Sequence, residues 1–427
     1  MSAAGAGSAT LRRDTLVQAG FNLDLVPAGC VVDDYQTDSL MNAVGLSFAP
    51  SGDADEHTDL WLSKCLTQLF GMPLTIPVAQ GRLAEAMLSN VLAAPGDCVP
   101  GSLPFPTAAV HLARNGAVSM PMPSARPETS ENSFCGDIDT AALARFLENR
   151  GRARVPCLML EACTNAIGGH PLSIENLRSV RSVAERYGIP IYLDATRIFS
   201  NAYLIQQRNR AEGASSIPAI VLELCALVDG IWLSASKEFP VPVGGVLAVR
   251  DRQVFEQCRD QALLFGTGLD AAAKHRLAAV MADVPVLIER VVERARRVER
   301  FQALLAPHCE VVTPGCAHAV FLKASAVSGS IAHHRHPHRA FLNHLYVKYG
   351  VRGALNPGAS QEAGDAVIRF AVPILGKDDH AIESAAASIR AALSEAHEFI
   401  ALEEVNRPAG FSGALLATYR PVESIGL

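Results

Sequence analysis

The stretch that decides the fold is VPCLMLEACTNAIGGHPLSIENLRSVRSVAERYGIPIYLDATR, residues 155–197. VPCLML and IPIYL are short apolar runs, typical of strands that are buried on both faces. Between them, Ser173 suits a helix N-cap and Gly188 suits the C-cap. Leu177 and Ala184 fall on one helical face. Strand, helix and strand at this spacing form a βαβ unit, which predicts a parallel sheet.

The pattern extends in both directions from this unit. IWLSAS and GGVLAV predict two further strands, and residues 57–71 predict a helix that ends at Gly71. Short apolar runs alternate with amphipathic runs as far as about residue 268. Residues 269–305 predict two helices divided near Pro285. We therefore expect an α/β fold with a mostly parallel, seven-stranded type of sheet flanked by helices.

The C-terminal third alternates less regularly. EVVT, AVFLKA and VIRFAV predict strands, and residues 339–349 and 378–398 predict helices. This favours a smaller α+β domain. The expected bounds are 1–45 for an N-terminal arm that joins the small domain, 46–300 for the large domain and 301–427 for the small domain. Residues 1–20 are small and polar, so we expect them to be disordered.

Composition excludes several classes of protein. The net charge of −6 is mild and spread along the 427 residues, which argues against a nucleic-acid-binding face. The N-terminus lacks the apolar core of a signal peptide, and no apolar run is long enough for a membrane helix. Ten scattered cysteines without a C-x-x-C pair favour reduced thiols and a cytoplasmic protein.

Three polar clusters follow predicted strands, at the edge where ligands bind to parallel sheets. They are Thr164-Asn165, the segment from Asp194 to Arg197, and the segment from Ser234 to Lys237. A lysine, a carboxylate and hydroxyl groups at one edge suit pyridoxal 5'-phosphate (PLP). The lysine would form a Schiff base with the cofactor, and the carboxylate would keep its pyridine nitrogen protonated.

The phosphate group of PLP needs backbone N–H groups at a helix N-terminus. Gln80-Gly81-Arg82 opens the predicted helix LAEAMLSNVL and meets that need, and Ser234 would add a hydroxyl group. Taken singly, each element has an ordinary structural explanation, such as a solvated strand end or a simple helix start. The combination of Asp194 with Lys237 one strand later favours the cofactor site.

The sequence also resembles the β-eliminating lyase family of PLP enzymes, which contains tryptophanase and tyrosine phenol-lyase. The matching segments are TNAIGGHPLS, IYLDATRIFSNAYLIQQR, SASKEFPVPVGGVLAVRD and GLDAAAKHRLA, with TIPVAQGR upstream and VIRFAVP downstream. The resemblance implies PLP fold type I, a homodimer or homotetramer, and an amino acid as the small-molecule substrate.

The resemblance also implies roles for individual residues. Lys237 and Asp194 match the Schiff-base lysine and the pyridine partner, and Arg197 matches a residue near the phenolic oxygen of the cofactor. The other matching residues are Gln80, Gly81, Arg82 and Ser234 at the phosphate, Phe105 stacked on the ring, Asn165 near the phenolic oxygen and the substrate, and Thr37, Ser39 and Arg369 around the substrate, with Arg369 on its carboxylate.

The sequence departs from the family at positions that determine substrate specificity in the relatives. The family's acidic tyrosine before the helix at 57–71 is replaced by SGDADEHTDLW, in which His57, Asp55 or Asp53 would have to substitute. Asn356 stands where tyrosine phenol-lyase has a substrate-reading arginine, and the tryptophanase histidine near the C-terminus has no counterpart in FSGALLATY. Ser236 replaces a lysine, and Leu40 replaces a glycine linked to the monovalent-cation site.

We therefore expect an amino-acid lyase in which Lys237 removes the α-proton and a β- or γ-substituent leaves. The missing acids argue against tryptophan and tyrosine as substrates. The alternatives are an aldolase, an aminotransferase or a non-catalytic amino-acid-binding relative. Residues 333–338, HHRHPH, favour a solvated loop over a metal site, so no metal is expected. His111 and His170 are more typical of structural histidines than of catalytic ones.

Overall fold

A computed structural model describes residues 7–43, 46–48, 57–124, 134–209, 215–266, 268–328, 335–356, 368–410 and 413–422. The chain divides into two compact units. The larger unit comprises Ser39–Met41 and Ser47–Ala295, and the smaller comprises Met1–Asp38, Asn42–Leu46 and Arg296–Leu427.

The helices of the described residues are α1 (Ala9–Gln18), α2 (Thr58–Phe70), α3 (Gly81–Leu92), α4 (Pro106–Arg114), α5 (Thr140–Arg150), α6 (Ile174–Tyr187), α7 (Ile198–Arg208), α8 (Ile217–Ala226), α9 (Arg252–Phe265), α10 (Ala271–Ala282), α11 (Val284–Leu305), α12 (Ser325–Ser328), α13 (Pro337–Tyr349), α14 (Asp379–Ser394) and α15 (Gly413–Leu416). The strands are β1 (Asp33–Asp34), β2 (Leu74–Val78), β3 (Cys98–Gly101), β4 (Val118–Pro121), β5 (Leu158–Glu161), β6 (Ile191–Asp194), β7 (Gly230–Ser234), β8 (Gly245–Val249), β9 (Ala319–Leu322), β10 (Val351–Arg352), β11 (Ala354–Leu355), β12 (Ile368–Ala371), β13 (Leu402–Asn406) and β14 (Thr418–Pro421).

The large unit is built on a seven-stranded sheet with the order β2-β8-β7-β6-β5-β3-β4. β8 pairs antiparallel with both of its neighbours, whereas the strands from β7 to β4 pair in parallel. β8 is therefore the one strand of this sheet that runs against the others. This confirms the α/β class and the mostly parallel seven-stranded sheet.

The local sequence explains the central βαβ unit. All four residues of β5 are buried, as expected for a parallel strand that is covered on both faces. α6 begins where the Ser173 side chain accepts a hydrogen bond from the backbone of Asn176, and it ends at Gly188, which has φ +60°. The hydroxyl cap and the left-handed glycine are those that the sequence predicts.

The small unit is a separate α+β assembly. Its three-stranded antiparallel sheet has the order β11-β12-β9, and two-stranded sheets pair β1 with β10 and β13 with β14. Its core includes Tyr35, Phe301, Phe341 and Phe370, which are completely buried. α13 and α14 occupy the two segments that the sequence predicts to be helical.

Two predictions in this unit are wrong. Residues 9–18, predicted to be disordered, form α1, because Leu16 is buried in the core and Arg12 donates hydrogen bonds to the carbonyls of Tyr346 and Val347. EVVT, predicted to be a strand, makes only an isolated bridge between Val311 and Leu322. In both cases tertiary contacts decide the structure of a segment with a weak local signal.

Two further observations bear on the chain's environment. None of the helices in the described residues is long and apolar enough to cross a membrane. Several cysteines are buried thiols: burial raises the pKa of the Cys225 and Cys258 side chains to about 12. Such thiols stay protonated at neutral pH, so they pack as small hydrophobic groups and are not nucleophiles.

Candidate active site

The polar clusters predicted from the sequence lie at one edge of the large sheet. β5, β6 and β7 are adjacent and parallel, so their carboxyl ends lie side by side. In register, Glu161 of β5 pairs with Asp194 of β6, and Asp194 pairs with Trp232 of β7. The chain after β7 turns immediately into a single 3-10 turn, Ala235–Lys237. This turn presents Lys237 at the edge where β6 ends with Asp194.

Lys237 lies next to an aromatic ring. Its Nζ is 5.4 Å from the ring centroid of Phe105, the residue that precedes α4. Phe105 also lines a small cavity together with Asp194, Glu161 and Trp232. The structure thus brings together an amine, a carboxylate and an aromatic ring that the sequence singles out separately.

Asp194 is held by the loop that follows β6. Its Oδ1 accepts a hydrogen bond from the Thr196 backbone N–H at 2.9 Å, and the Thr196 hydroxyl accepts one from the Ser234 backbone N–H at 3.1 Å. Burial raises the pKa of Asp194, while the bonds to Thr196 and the charges of Lys237 and Arg197 lower it. A cationic partner in the cavity would favour the ionised form of this carboxyl group.

A helix N-terminus lies beside the same edge. α3 begins at Gly81, and Gln80 forms a backbone bridge with Gly244. A Cβ atom at Gly81 would lie 2.4 Å from Ser234 Oγ and 2.6 Å from the Ser234 backbone nitrogen. Only glycine allows the first turn of α3 to approach the end of β7 so closely. The predicted phosphate residues Gln80, Gly81 and Ser234 therefore meet, and Arg82 follows them with an exposed side chain.

A buried ion pair fixes the turn that carries Lys237. The guanidinium group of Arg294 donates to the Lys237 carbonyl at 2.7 Å, to the Ser200 hydroxyl at 2.6 Å and to Glu238 Oε1 at 3.0 Å. Glu238 also accepts hydrogen bonds from the backbone N–H groups of Phe199 and Ser200 at the start of α7, at 2.9 Å each. The pair therefore ties the Lys237 turn to the helix that follows Arg197.

Two serines meet at the residue that precedes Lys237. Ser39 Oγ and Ser236 Oγ are 2.8 Å apart, and Ser236 is almost completely buried. Ser39 is a predicted substrate-side residue, and Ser236 replaces the lysine that the family resemblance implies at this position. A neutral hydrogen bond thus occupies a place where a cation is expected in those proteins.

Asn165 is completely buried in the loop after β5. Its backbone N–H donates to Glu161 Oε1 at 3.2 Å. Asn201 holds the same loop, because its side-chain oxygen accepts hydrogen bonds from the backbone of Cys163 and Leu172. His170 is buried in this loop as well, and its backbone is bridged to that of Thr164.

The remaining predicted substrate residues belong to the small unit. Arg369 lies on β12, is largely buried and donates from Nη2 to the Gln36 carbonyl at 3.0 Å. Gln36 directly precedes Thr37, so two of the predicted substrate residues belong to one local arrangement. Asn356 is buried shortly after β11.

The positions of the other candidate residues do not assign a role to them. His57 is exposed and immediately precedes α2, whereas Asp53 and Asp55 lie outside the described residues. His111 is half-buried on α4, and burial, Arg114 and Arg82 lower its pKa. In the HHRHPH segment, His333 and His334 lie outside the described residues. The described His338 side chain bonds to the Ala324 carbonyl at 3.3 Å.

Comparison with known proteins decides the family. Residues 37–326 match a family model that is described as "Beta-eliminating lyase". The chain belongs to the β-eliminating lyase family. It is 30% identical to a tyrosine phenol-lyase of Nostoc punctiforme over 377 residues, which cover 83% of this chain and 79% of the relative. It is 32% identical to a tryptophanase of Hyphomonas neptunium over 359 residues, which cover 80% and 78%.

A comparison of folds agrees with this family. A threonine aldolase of Leishmania major superposes with a TM-score of 0.61 at 11% identity, over 84% of this chain and 99% of that one. This β-eliminating lyase therefore has the PLP fold type I and is PLP-dependent. The residues present fit the cofactor: the amine, the carboxylate, the aromatic ring and the glycine-lined helix N-terminus surround one sheet edge.

Sequence reasoning missed several residues of this site. Glu161 is a charged residue at the end of the otherwise apolar strand LMLE, and that contrast is a usable signal. Glu238 follows Lys237 directly, but its buried partner Arg294 resembles the other arginines of α11 in sequence. Only the fold shows that Arg294 points into the protein, where it is fully buried.

The close approach at Gly81 gives a first prediction. Gly81→Ala should weaken PLP binding at least tenfold and destabilise the fold by about 1–3 kcal/mol, because the added methyl group must displace the backbone of Ser234. Gly268→Ala is the matched control, since a Cβ there meets nothing within 4 Å. Binding is measured by cofactor absorbance and stability by urea unfolding. Equal PLP affinity and equal stability of the two variants would contradict the proposed phosphate site at Gly81 and Ser234.

The buried ion pair gives a second prediction. Arg294→Met should cost about 3–5 kcal/mol of unfolding free energy, because it leaves Glu238 charged and buried without its cation. Adding Glu238→Gln should restore part of that loss. Arg252→Ala, which breaks an exposed pair with Glu256, should cost less than about 1 kcal/mol. A double variant as unstable as Arg294→Met would argue against the pairing.

Proposed function

We propose that this protein is a PLP-dependent lyase in which Lys237 holds the cofactor and removes the α-proton of an L-amino acid, after which a β- or γ-substituent leaves. The observation that carries the proposal is the convergence of Lys237, Asp194 and Phe105 beside the start of α3. When bound, PLP supplies an electron sink that stabilises negative charge at the substrate α-carbon.

The residues at the sheet edge would divide the work as follows. Asp194 would pair with the ring nitrogen and keep it positively charged, and Phe105 would stack on the ring. Arg197 and Asn165 would face the phenolic oxygen. Backbone N–H groups at Gly81 and Arg82, with the Gln80 and Ser234 side chains, would bind the phosphate. The network of Arg294 and Glu238 would position the Lys237 turn so that its amine reaches the α-proton.

The substrate side points away from the aromatic amino acids. Expelling a carbon leaving group such as indole or phenol requires an acid that protonates it. The family's tyrosine is absent from the segment before α2, and Ser236 offers a neutral hydroxyl group beside Lys237. A thiolate, a halide or an activated oxygen leaves with less acid assistance. We therefore propose an amino acid that carries such a group, with Arg369 binding its carboxylate and Thr37 and Ser39 lining its side.

The family resemblance and the buried thiols bear on the oligomeric state and the cellular location of the enzyme. We propose a homodimer or homotetramer, as the family resemblance implies, with an amino acid as its small-molecule partner. Protonated buried thiols suit a reducing compartment, so we propose a cytoplasmic location.

Exchange of the α-proton tests the role of Lys237. In deuterated water, the wild-type holoenzyme should exchange the α-proton of amino acids that it binds. Lys237→Ala should lose at least about 10³-fold in that rate, because no other amine replaces the base. Lys64→Ala, a change at an exposed lysine of α2, is the matched control. The rate is followed by NMR, and unchanged exchange in Lys237→Ala would refute the mechanism.

Substitution at Arg369 tests the substrate carboxylate site. Arg369→Lys keeps the positive charge but cannot bind a carboxylate through two parallel hydrogen bonds. We expect KM to rise at least tenfold for the best substrate found in an amino-acid screen, while PLP affinity stays unchanged. Mass analysis of the products separates elimination from aldol cleavage and transamination. A KM equal to that of the wild type would remove Arg369 from the substrate site.

A further inference from the structure

Two carboxyl groups lie side by side at the edge of the large sheet. Glu161 and Asp194 are register partners at the ends of the parallel strands β5 and β6. Paired residues of neighbouring strands are about 4.8 Å apart, and their side chains leave the sheet on the same face. Both side chains line the small cavity that Phe105 and Trp232 also line. The sequence motifs predict a role for Asp194 and none for Glu161.

Glu161 is poorly solvated for a charged group. It is 5% exposed, and its Oε1 accepts a hydrogen bond from the Asn165 backbone N–H at 3.2 Å. Its Oε2 is buried and has no hydrogen-bond partner among the described residues. An ionised carboxylate in that situation forgoes the hydration that would stabilise it, whereas burial of a neutral, protonated carboxyl group costs much less free energy.

The charged groups around Glu161 come from four elements. Asp194 at the end of β6 disfavours the ionised form of Glu161, and burial disfavours it more strongly. Arg197 before α7 and Lys237 after β7 oppose them. Together these effects raise the pKa of Glu161 to about 8. On α3, Glu85 is also buried, its pKa is raised by burial and by Asp194, and it accepts a hydrogen bond from Thr107 at 3.1 Å.

We propose that Glu161 is a positioning residue for the cofactor that acts through Asp194. Glu161 keeps a proton beside Asp194 while no PLP is bound, and it releases the proton to solvent when the positively charged ring nitrogen pairs with Asp194. In that step the O–H bond of the carboxyl group breaks and a carboxylate forms. The inference rests on the proposed pairing of Asp194 with the ring nitrogen.

The physical basis is the charge balance of the edge. Two neighbouring carboxylates cannot both ionise cheaply, so without cofactor the pair keeps one proton. A cation at Asp194 offsets the repulsion and lowers the proton affinity of Glu161. Because linkage is reciprocal, ionisation of Glu161 must in turn strengthen cofactor binding. Cofactor affinity therefore depends on pH through Glu161.

The first test uses the cofactor-free protein. The folded protein keeps a proton on Glu161 between its ordinary pKa of 4.5 and about 8, while the unfolded chain does not. More bound protons in the folded state mean that wild-type stability falls as pH rises through this window. Glu161→Gln cannot ionise, so its unfolding midpoint should rise above that of the wild type by an amount that grows from pH 5 to pH 8. A constant separation would overturn the proposal.

The second test uses the PLP-loaded protein. From pH 6 to pH 8, wild-type affinity for PLP relative to that of Glu161→Gln should increase by up to tenfold per pH unit, because wild-type binding releases one more proton. Glu148→Gln, a change at an exposed glutamate of α5, is the control and should keep the wild-type pH profile. Parallel profiles for the wild type and Glu161→Gln, or a changed profile in Glu148→Gln alone, would overturn the assignment.

An infrared experiment detects the proton directly. With ¹³C-labelled glutamate, the apoprotein at pH 7 should show a protonated carboxyl band that is present in the wild type, absent from Glu161→Gln and decreased in the wild type when PLP is added. Persistence of that difference band after loading would overturn the proposed proton release. Failure of PLP to bind at all would refute the proposed function, whereas the stability test on the cofactor-free protein still reports whether Glu161 holds its proton.

Discussion

The hydrogen-bonded register of three parallel strands is the constraint on which the site depends. β5, β6 and β7 are adjacent, and their ends place Glu161, Asp194 and the turn to Lys237 along one edge. A shift of one residue would turn Asp194 to the opposite face of the sheet, away from the cavity. The buried strands therefore do more than form the core, because their register sets which side chains can act together.

Several ionisable side chains lie around this edge, and burial makes their charged forms unfavourable. Burial raises the pKa values of Asp194, Glu161 and Glu85. Arg197 and Lys237 counter this in part at Asp194 and Glu161, and Thr107 and Arg82 do so at Glu85. The pair of Arg294 and Glu238 behaves differently, since the Glu238 carboxylate and Nη1 and Nη2 of Arg294 are bonded to backbone groups, to Ser200 and to each other. One set of charges fixes the backbone, and the other lies at the candidate cofactor site. The first set therefore stabilises the fold, and the second set belongs to the candidate site.

The sequence predicts much of this arrangement because the large unit has strong local signals. Ser173, Gly188 and the apolar runs define the βαβ unit. Because Asp194 and Lys237 follow predicted strands, the sequence also predicts that both lie at the ligand-binding edge of the sheet. The small unit is less predictable, since α1 depends on contacts with Tyr346 and Val347 that are more than 300 residues away in the chain. Arg294 and the approach of Gly81 to Ser234 also depend on long-range packing, which no local pattern encodes.

The amine of Lys237 is the proposed attachment point of the cofactor. The most direct measurement is peptide mass spectrometry of the PLP-loaded protein after reduction with borohydride. The account predicts that the added pyridoxyl mass lies on the peptide that contains Lys237 and that one site per chain is modified. Modification at another lysine, with Lys237 unmodified, would contradict it.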